Sequence, residues 1–171
     1  MGDSMSKLQV ETISHTNNTT AQTIDSTGRI LTPARPAFLA YDSSSGWRDY
    51  AHGTTRDMVW GATRFDIGSN FNTSTGKFTC PIAGIYYFHC WAYVAGATAA
   101  NLIYLNKNGT DIQSTLMDND ADNETAVVSG IVQCSASDLI HMQYSTNVDQ
   151  TGNVYSGASE QWTGFEGFLI G

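Results

Sequence analysis

The stretch from Thr75 to Val94 constrains the fold of this chain more than any other. It divides at two breaks, Cys80-Pro81 and Ala83-Gly84, after an opening glycine at Gly76. Proline has no N–H to give to a ladder and glycine tolerates positive φ, so such residues belong where strands start and stop. The segment between these breaks and Gly76 is a short strand. The segment Ile85 to Val94 is a longer one, dense in the aromatic and β-branched residues that suit a pleated surface. Alternation places Ile85, Tyr87, His89, Trp91 and Tyr93 on one face and Tyr86, Phe88, Cys90, Ala92 and Val94 on the other. Neither face is polar. A strand like this needs cover on both sides. A facing sheet of the same domain can supply one cover, and a second subunit the other.

Short apolar runs of the same kind recur along the chain, separated by turn residues. They are expected at 37–41, 58–60, 64–67, 100–105, 110–117, 125–134, 139–144 and 162–170. Asn106-Lys-Asn-Gly109 is a tight hairpin with Asn-Gly at its tip. Residues 42–57, 68–76, 118–124 and 145–161 are polar and are expected to be loops. No segment has helical periodicity. Regular short strands with frequent turns predict an all-β sandwich.

The residues Thr75-Gly76-Lys77-Phe78-Thr79-Cys80-Pro81 and Ala83-Gly84-Ile85-Tyr86-Tyr87-Phe88 resemble the signature of the globular head of complement C1q, one of the tumour-necrosis-factor-like jelly rolls. Three further segments fit in order. Arg35-Pro-Ala-Phe38 resembles the first strand of that family, Leu105-Asn-Lys-Asn-Gly109 its central hairpin, and Phe165-Glu-Gly-Phe-Leu-Ile170 its closing strand. The resemblance spans about residues 35–171. It implies a ten-strand antiparallel jelly-roll β-sandwich, assembled as a homotrimer, that binds ligands and is not an enzyme. It also implies that Tyr87 and His89 line the three-fold axis, with Phe165 and Leu169 beside them.

Residues 1–34 differ from this head, which is taken as 35–171. Leu8 to Ile13 and Ala21 to Asp25 alternate, and Arg29-Ile-Leu31 is a third short strand. Thr32-Pro-Ala-Arg-Pro36 is a stiff link, because proline fixes its own φ and restrains the residue before it. The segment is too short for a core of its own. Its pattern resembles the N-terminal connectors of bacteriophage fibre and virion-surface proteins, which implies an attachment segment. The first residues contain no apolar leader core, and no run approaches the ~20 apolar residues of a membrane span. The expectation is therefore a virion-surface protein, either a fibre tip that binds a host glycan or protein, or a capsid decoration. Residues 6–34 would hold it to another virion protein. The alternative is a secreted C1q/TNF-like ligand-binding or signalling head.

Only 14% of residues are charged, against about 25% in ordinary soluble chains, and Asn, Thr and Ser fill the gap. The formal net charge is −8, and the 8 Lys and Arg are scattered. A phosphate backbone needs a basic stripe, so nucleic acid is not an expected partner. Nor is membrane insertion expected. The four histidines, at 15, 52, 89 and 141, accompany no G-x-S-x-G, H-E-x-x-H, phosphate loop or dinucleotide fingerprint, so no catalytic residue is assigned. Asp118, Asp120 and Asp122 fall at every second residue of an acidic loop, and hard oxygen ligands suit calcium. Calcium is thus the one possible cofactor. Trp47, Tyr50, Trp60, Tyr155 and Trp162 could form a carbohydrate or protein contact set or serve core and subunit packing; Trp60 and Trp162 fall inside expected strands, which leaves Trp47, Tyr50 and Tyr155 as the candidate ligand contacts. Cys80, Cys90 and Cys134 are odd in number, so at least one thiol is unpaired within the chain. Three buried thiols, a Cys80–Cys134 bridge and a Cys80–Cys90 bridge are all open at this point.

Overall fold

The structure is a computed structural model, and it describes residues 9–50, 54–95, 101–117, 123–146, 152–157 and 161–171. Among the described residues there are sixteen strands and no helix. The chain divides into two compact units, 1–35 and 36–171.

The first unit is a three-stranded antiparallel sheet of β1 (Thr12–Ser14), β2 (Thr20–Ile24) and β3 (Ile30–Leu31). Its second turn is closed by Asp25, whose carboxylate accepts from Thr27 N, Thr27 Oγ1, Arg29 N and Arg29 Nε at 2.7–3.0 Å. These donors hold the Asp25 carboxyl down at about 2. Gly28 takes the positive φ that the turn requires.

In the second unit ten strands make two facing sheets. One runs β7 (Ala62–Ile67), β4 (Ala37–Tyr41), β16 (Gly164–Leu169), β10 (Gly84–Ala95), β13 (Asn123–Cys134). The other runs β8 (Phe71–Asn72), β9 (Lys77–Thr79), β14 (Leu139–Thr146), β11 (Asn101–Lys107), β12 (Thr110–Met117). Every pairing is antiparallel. This is a ten-strand jelly-roll sandwich. The β11–β12 turn is the two-residue loop Asn108-Gly109, with φ of 53° and 87° as a type I′ hairpin demands.

Phe38 sits at the centre of the core, stacked on Phe71 and Phe78 at 4.7 and 4.6 Å and edge-on to Phe165 at 4.9 Å. Tyr86, Phe88, Cys90, Ala92 and Val94, the even face of β10, are fully buried against this group. Each aromatic buried this way contributes roughly 1.5–3 kcal/mol through area alone.

Three further strands fill regions expected to be loops. β5 (Ser45–Tyr50) and β6 (Thr55–Asp57) lie within 42–57, and β15 (Gly152–Gly157) lies within 145–161. β16 pairs with β10 over residues 86–91, and β15 takes over beside it at Val94 and Ala95. β5 pairs with β15 in turn. The segment Met58 to Trp60 is not a strand, but a buried crossing held by Met58 N to Met142 O (2.9 Å) and Trp60 N to Thr73 O (3.2 Å).

On the outer side of the second sheet a polar network replaces apolar cover. Asp57 accepts from Gln143 Nε2 at 2.7 Å and His141 Nε2 at 3.0 Å, and pairs with Lys77 Nζ at 2.9 Å. Gln143 Oε1 accepts from Asn106 Nδ2, which also donates to Asp111. His141 is 2% exposed and its Nδ1 has no partner among the described residues. Burial pushes the His141 imidazole below its ordinary value, and Asp57, which favours the cation, offsets this only in part. A histidine held neutral stabilises the fold above its unfolded pKa of about 6.5, and that stability is lost as pH falls through this value. Burial pushes Asp57 up, but its hydrogen bonds from Gln143 and Lys77 prevail and hold it below the ordinary range, so its loss comes at lower pH, near 4. The melting temperature should therefore fall between pH 7 and 5, and in His141→Gln the fall over that window should be much smaller. Equal slopes in the two proteins would acquit His141.

Candidate functional site

The odd face of β10 looks away from the core. Ile85, Tyr87, His89, Trp91 and Tyr93 are all half-buried, and the pairing registers lay their neighbours out in cross-strand rows. One row is Ile67, Ala37, Phe168, Tyr87, Ile131. The next is Phe65, Leu39, Glu166, His89, Ser129. A third is Tyr41, Gly164, Trp91, Val127. Ile67 is 39% exposed and Ile131 71%, so the first row ends in bare apolar side chains, and Phe168 within it is 45% exposed.

The rings form a ladder along the strand. Phe168 lies 5.5 Å from Tyr87, Tyr87 lies 6.5 Å from His89, and His89 lies 5.5 Å from Trp91. Gly164 makes room for Trp91. A Cβ at Gly164 would stand 2.3 Å from the indole, which lies over the glycine and donates from Nε1 to Gln161 O at 2.8 Å. Beyond Trp91 the ladder widens into a cluster. Tyr93 is 4.8 Å from Trp162 and 5.9 Å from Trp47, and Trp47 is 4.8 Å from Tyr155.

The added strands position that cluster. Thr163 Oγ1 donates to Tyr155 O at 2.7 Å and accepts from Tyr93 N at 3.3 Å, clipping β15 to β10. Arg48 fixes β5 through a two-pronged contact with the buried Asp42 carboxylate, Nε to Oδ2 at 2.7 Å and Nη2 to Oδ1 at 2.8 Å, and also donates to Val59 O. Planar fork-to-fork pairing of this sort sets orientation as well as energy.

Tyr87 and His89 thus share the outward face, but Phe165 and Leu169 do not join them. Phe165 is fully buried in the core and Leu169 is 9% exposed, because the register pairs Cys90 with Phe165 and Tyr86 with Leu169, both core-facing positions. The closing-strand residues beside Tyr87 and His89 are Phe168 and Glu166. Trp47 and Tyr155 face each other across β5 and β15. Tyr50 is on β5, with its side chain outside the described residues, and Asp118, Asp120 and Asp122 lie outside them altogether. Trp162 joins this surface, whereas Trp60 is buried in the core. Val127 also belongs to the surface and was not expected there; its signal was available only through the pairing partner, since it stands opposite Trp91.

A family model, the C1q domain, matches residues 47–170. The chain belongs to the C1q domain family. Among relatives of that family, Caprin-2 of Danio rerio is 28% identical over 142 residues, covering 82% of this chain and 14% of that protein. Complement C1q and tumor necrosis factor-related protein 9 of Mus musculus is 33% identical over 104 residues, covering 60% of this chain and 29% of that protein. This chain therefore spans less than a third of the length of either. Among solved structures, the globular domain of zebrafish complement 1qA aligns with a TM-score of 0.59 at 21% identity, covering 80% of this chain and 98% of its own. Eiger TNF from S. frugiperda aligns with a TM-score of 0.62 at 12% identity, covering 81% and 94%. At these identities the structural likeness shows the jelly-roll fold, which this C1q domain shares with TNF-like proteins.

Proposed function

We propose that this C1q domain is a non-catalytic, extracellular ligand-binding head that works as a homotrimer and buries the aromatic face of β10 between subunits. Trimeric assembly is typical of the family. The observation that carries the reading is the row Phe168–Tyr87–Ile131, an apolar strip ending in exposed side chains on a sheet whose other face is already core. A contiguous apolar strip of this kind marks an interaction surface.

The bare apolar residues fall on two different surfaces. One is the aromatic face. The other is the outer face of β12, where Leu116 stands opposite Leu102 and is 59% exposed. Two unlike surfaces suit head-to-tail contacts, which close into a ring when the rotation allows. Each protomer would set its outer β12 face on the aromatic face of the next. Trp47, Tyr155 and Trp162, at the far end of that face, are assigned to ligand contact, with a surface glycan or protein as the ligand. Aromatic rings offer large contact area at low entropic cost. The relatives named above favour this head over display on a virion, for which only the pattern of residues 6–34 speaks.

Light scattering of the purified chain should return about three times 18.5 kDa. A stable monomer at micromolar concentration would sink the reading.

A further inference from the structure

Three thiols are buried in the head, and two of them are neighbours. Cys80 ends the strand β9 segment and Cys134 ends β13, at 0% and 3% exposure. The two thiols meet in the core, and Cys134 Sγ donates to Val132 O at 3.9 Å. The backbones that carry them are tied together as well. Cys80 N donates to Asp138 O at 2.8 Å, and Ser137 N donates to Cys80 O at 2.8 Å, so Cys80 is clamped on both sides to the turn that follows Cys134. That turn is itself fixed. The Asp138 carboxylate accepts from Ser135 N and Asn108 Nδ2 at 2.8 and 2.7 Å and pairs with Lys107 Nζ at 2.9 Å. Lys107 also donates to Gln133 O at 2.7 Å, which places its ammonium beside the thiol pair.

Cys90 is elsewhere. Cys134 pairs across the ladder with Gly84, and Cys90 lies six residues further along β10 (84 to 90), roughly 20 Å at the rise of a strand. No rotamer change spans that distance, since bridged Cα atoms must come within about 7 Å.

We propose that Cys80 and Cys134 close into an intrachain disulfide when the chain folds in an oxidising compartment, and that Cys90 remains a thiol. The chemistry is thiol–disulfide exchange with a small-molecule disulfide such as glutathione disulfide. A thiolate at Cys134 attacks one sulfur of the oxidant, forming a mixed disulfide and releasing one glutathione thiolate. Cys80 then attacks the Cys134 sulfur and releases the second glutathione. Two thiols lose two electrons and two protons, and one glutathione disulfide becomes two thiols. Either cysteine can take the first step, and the balance is the same with the two exchanged. Burial raises both thiols well above the reactive range, so exchange occurs during folding, before the pair is enclosed. The bond would tie the break at Cys80-Pro81 to the end of β13 across the 80–134 loop. It does not depend on the trimeric reading, because both residues lie within one protomer.

The test is to unfold the full chain, refold it in a buffer of reduced and oxidised glutathione, alkylate the free thiols and map the peptides. The expected result is a single Cys80–Cys134 link, a free Cys90, and a melting temperature about 10 °C above that of the same protein refolded with reductant. Cys90→Ala should keep the link, and Cys134→Ala should lose it together with the response to reductant. All three cysteines alkylated after refolding in glutathione, or a link through Cys90 or between chains, would overturn the proposal.

Discussion

Ile131→Glu should convert the assembled protein to a folded monomer. Ile131 is 71% exposed within its own protomer, so the substitution disturbs no intrachain packing, and its cost to folding should stay within about 0.5 kcal/mol. In the assembly the same side chain ends the Phe168–Tyr87–Ile131 row. A carboxylate there must shed its water against apolar neighbours, and Lys107, which lines the same groove, is already held by Asp138 and Gln133 O. Such uncompensated burial costs several kcal/mol, at least a 100-fold loss of affinity at each contact. Sedimentation should show one third of the wild-type mass, with an unaltered circular dichroism spectrum. A variant that remains trimeric would move the subunit interface off this face.

Gly76→Ala should destabilise the head by about 3 kcal/mol or more, lowering its melting temperature by roughly 10 °C. Two costs coincide at this position. Gly76 has φ +71°, a conformation that side chains resist. A Cβ there would also stand 1.8 Å from Met58 O and 2.9 Å from Met58 C, both backbone atoms of the buried crossing beneath it. Backbone cannot swing aside as a flexible side chain does. Gly109→Ala separates the two costs. Gly109 has φ +87° with nothing within 4 Å of an added Cβ, so it carries the conformational cost alone, about 1 kcal/mol. If the two variants melt together, crowding against Met58 contributes nothing. The opening glycine of the Thr75–Pro81 motif is thus required by Met58, 18 positions upstream (58 to 76), as well as by its own turn, and only the first of these requirements needs the tertiary structure to be seen.

Strand β10 was legible because its alternation and its bounding breaks are strong local signals. From Ile85 to Val94 its even residues are all core and its odd residues all half-buried. The closing strand was not legible in the same way. Phe165, Phe168 and Leu169 are apolar on both parities and Gly167 interrupts them, so alternation carries no sign there. Only the register, with Phe168 opposite Tyr87, decides which residues look outward, and a shift of one residue inverts the answer. β5 and β15 escaped for a different reason. Ser, Gly and Asn dominate their surroundings, and they are strands because β10 extends past β16 and leaves a length of edge unpaired at Val94 and Ala95. An unpaired edge recruits backbone whatever its side chains prefer.

The position of β16 has a consequence for synthesis. It is an interior strand, with β4 on one side and β10 on the other, yet it lies at residues 164–169. Strands β4 and β10 therefore cannot be joined through the sheet until nearly all of the head has left the ribosome. Contacts this distant in sequence form late and slowly. Phe168 and Glu166 arrive with the same strand, so the aromatic face proposed as the subunit contact is completed last. A growing chain carries β10 but not the finished face, and neighbouring nascent copies have nothing complementary to grip until each has folded.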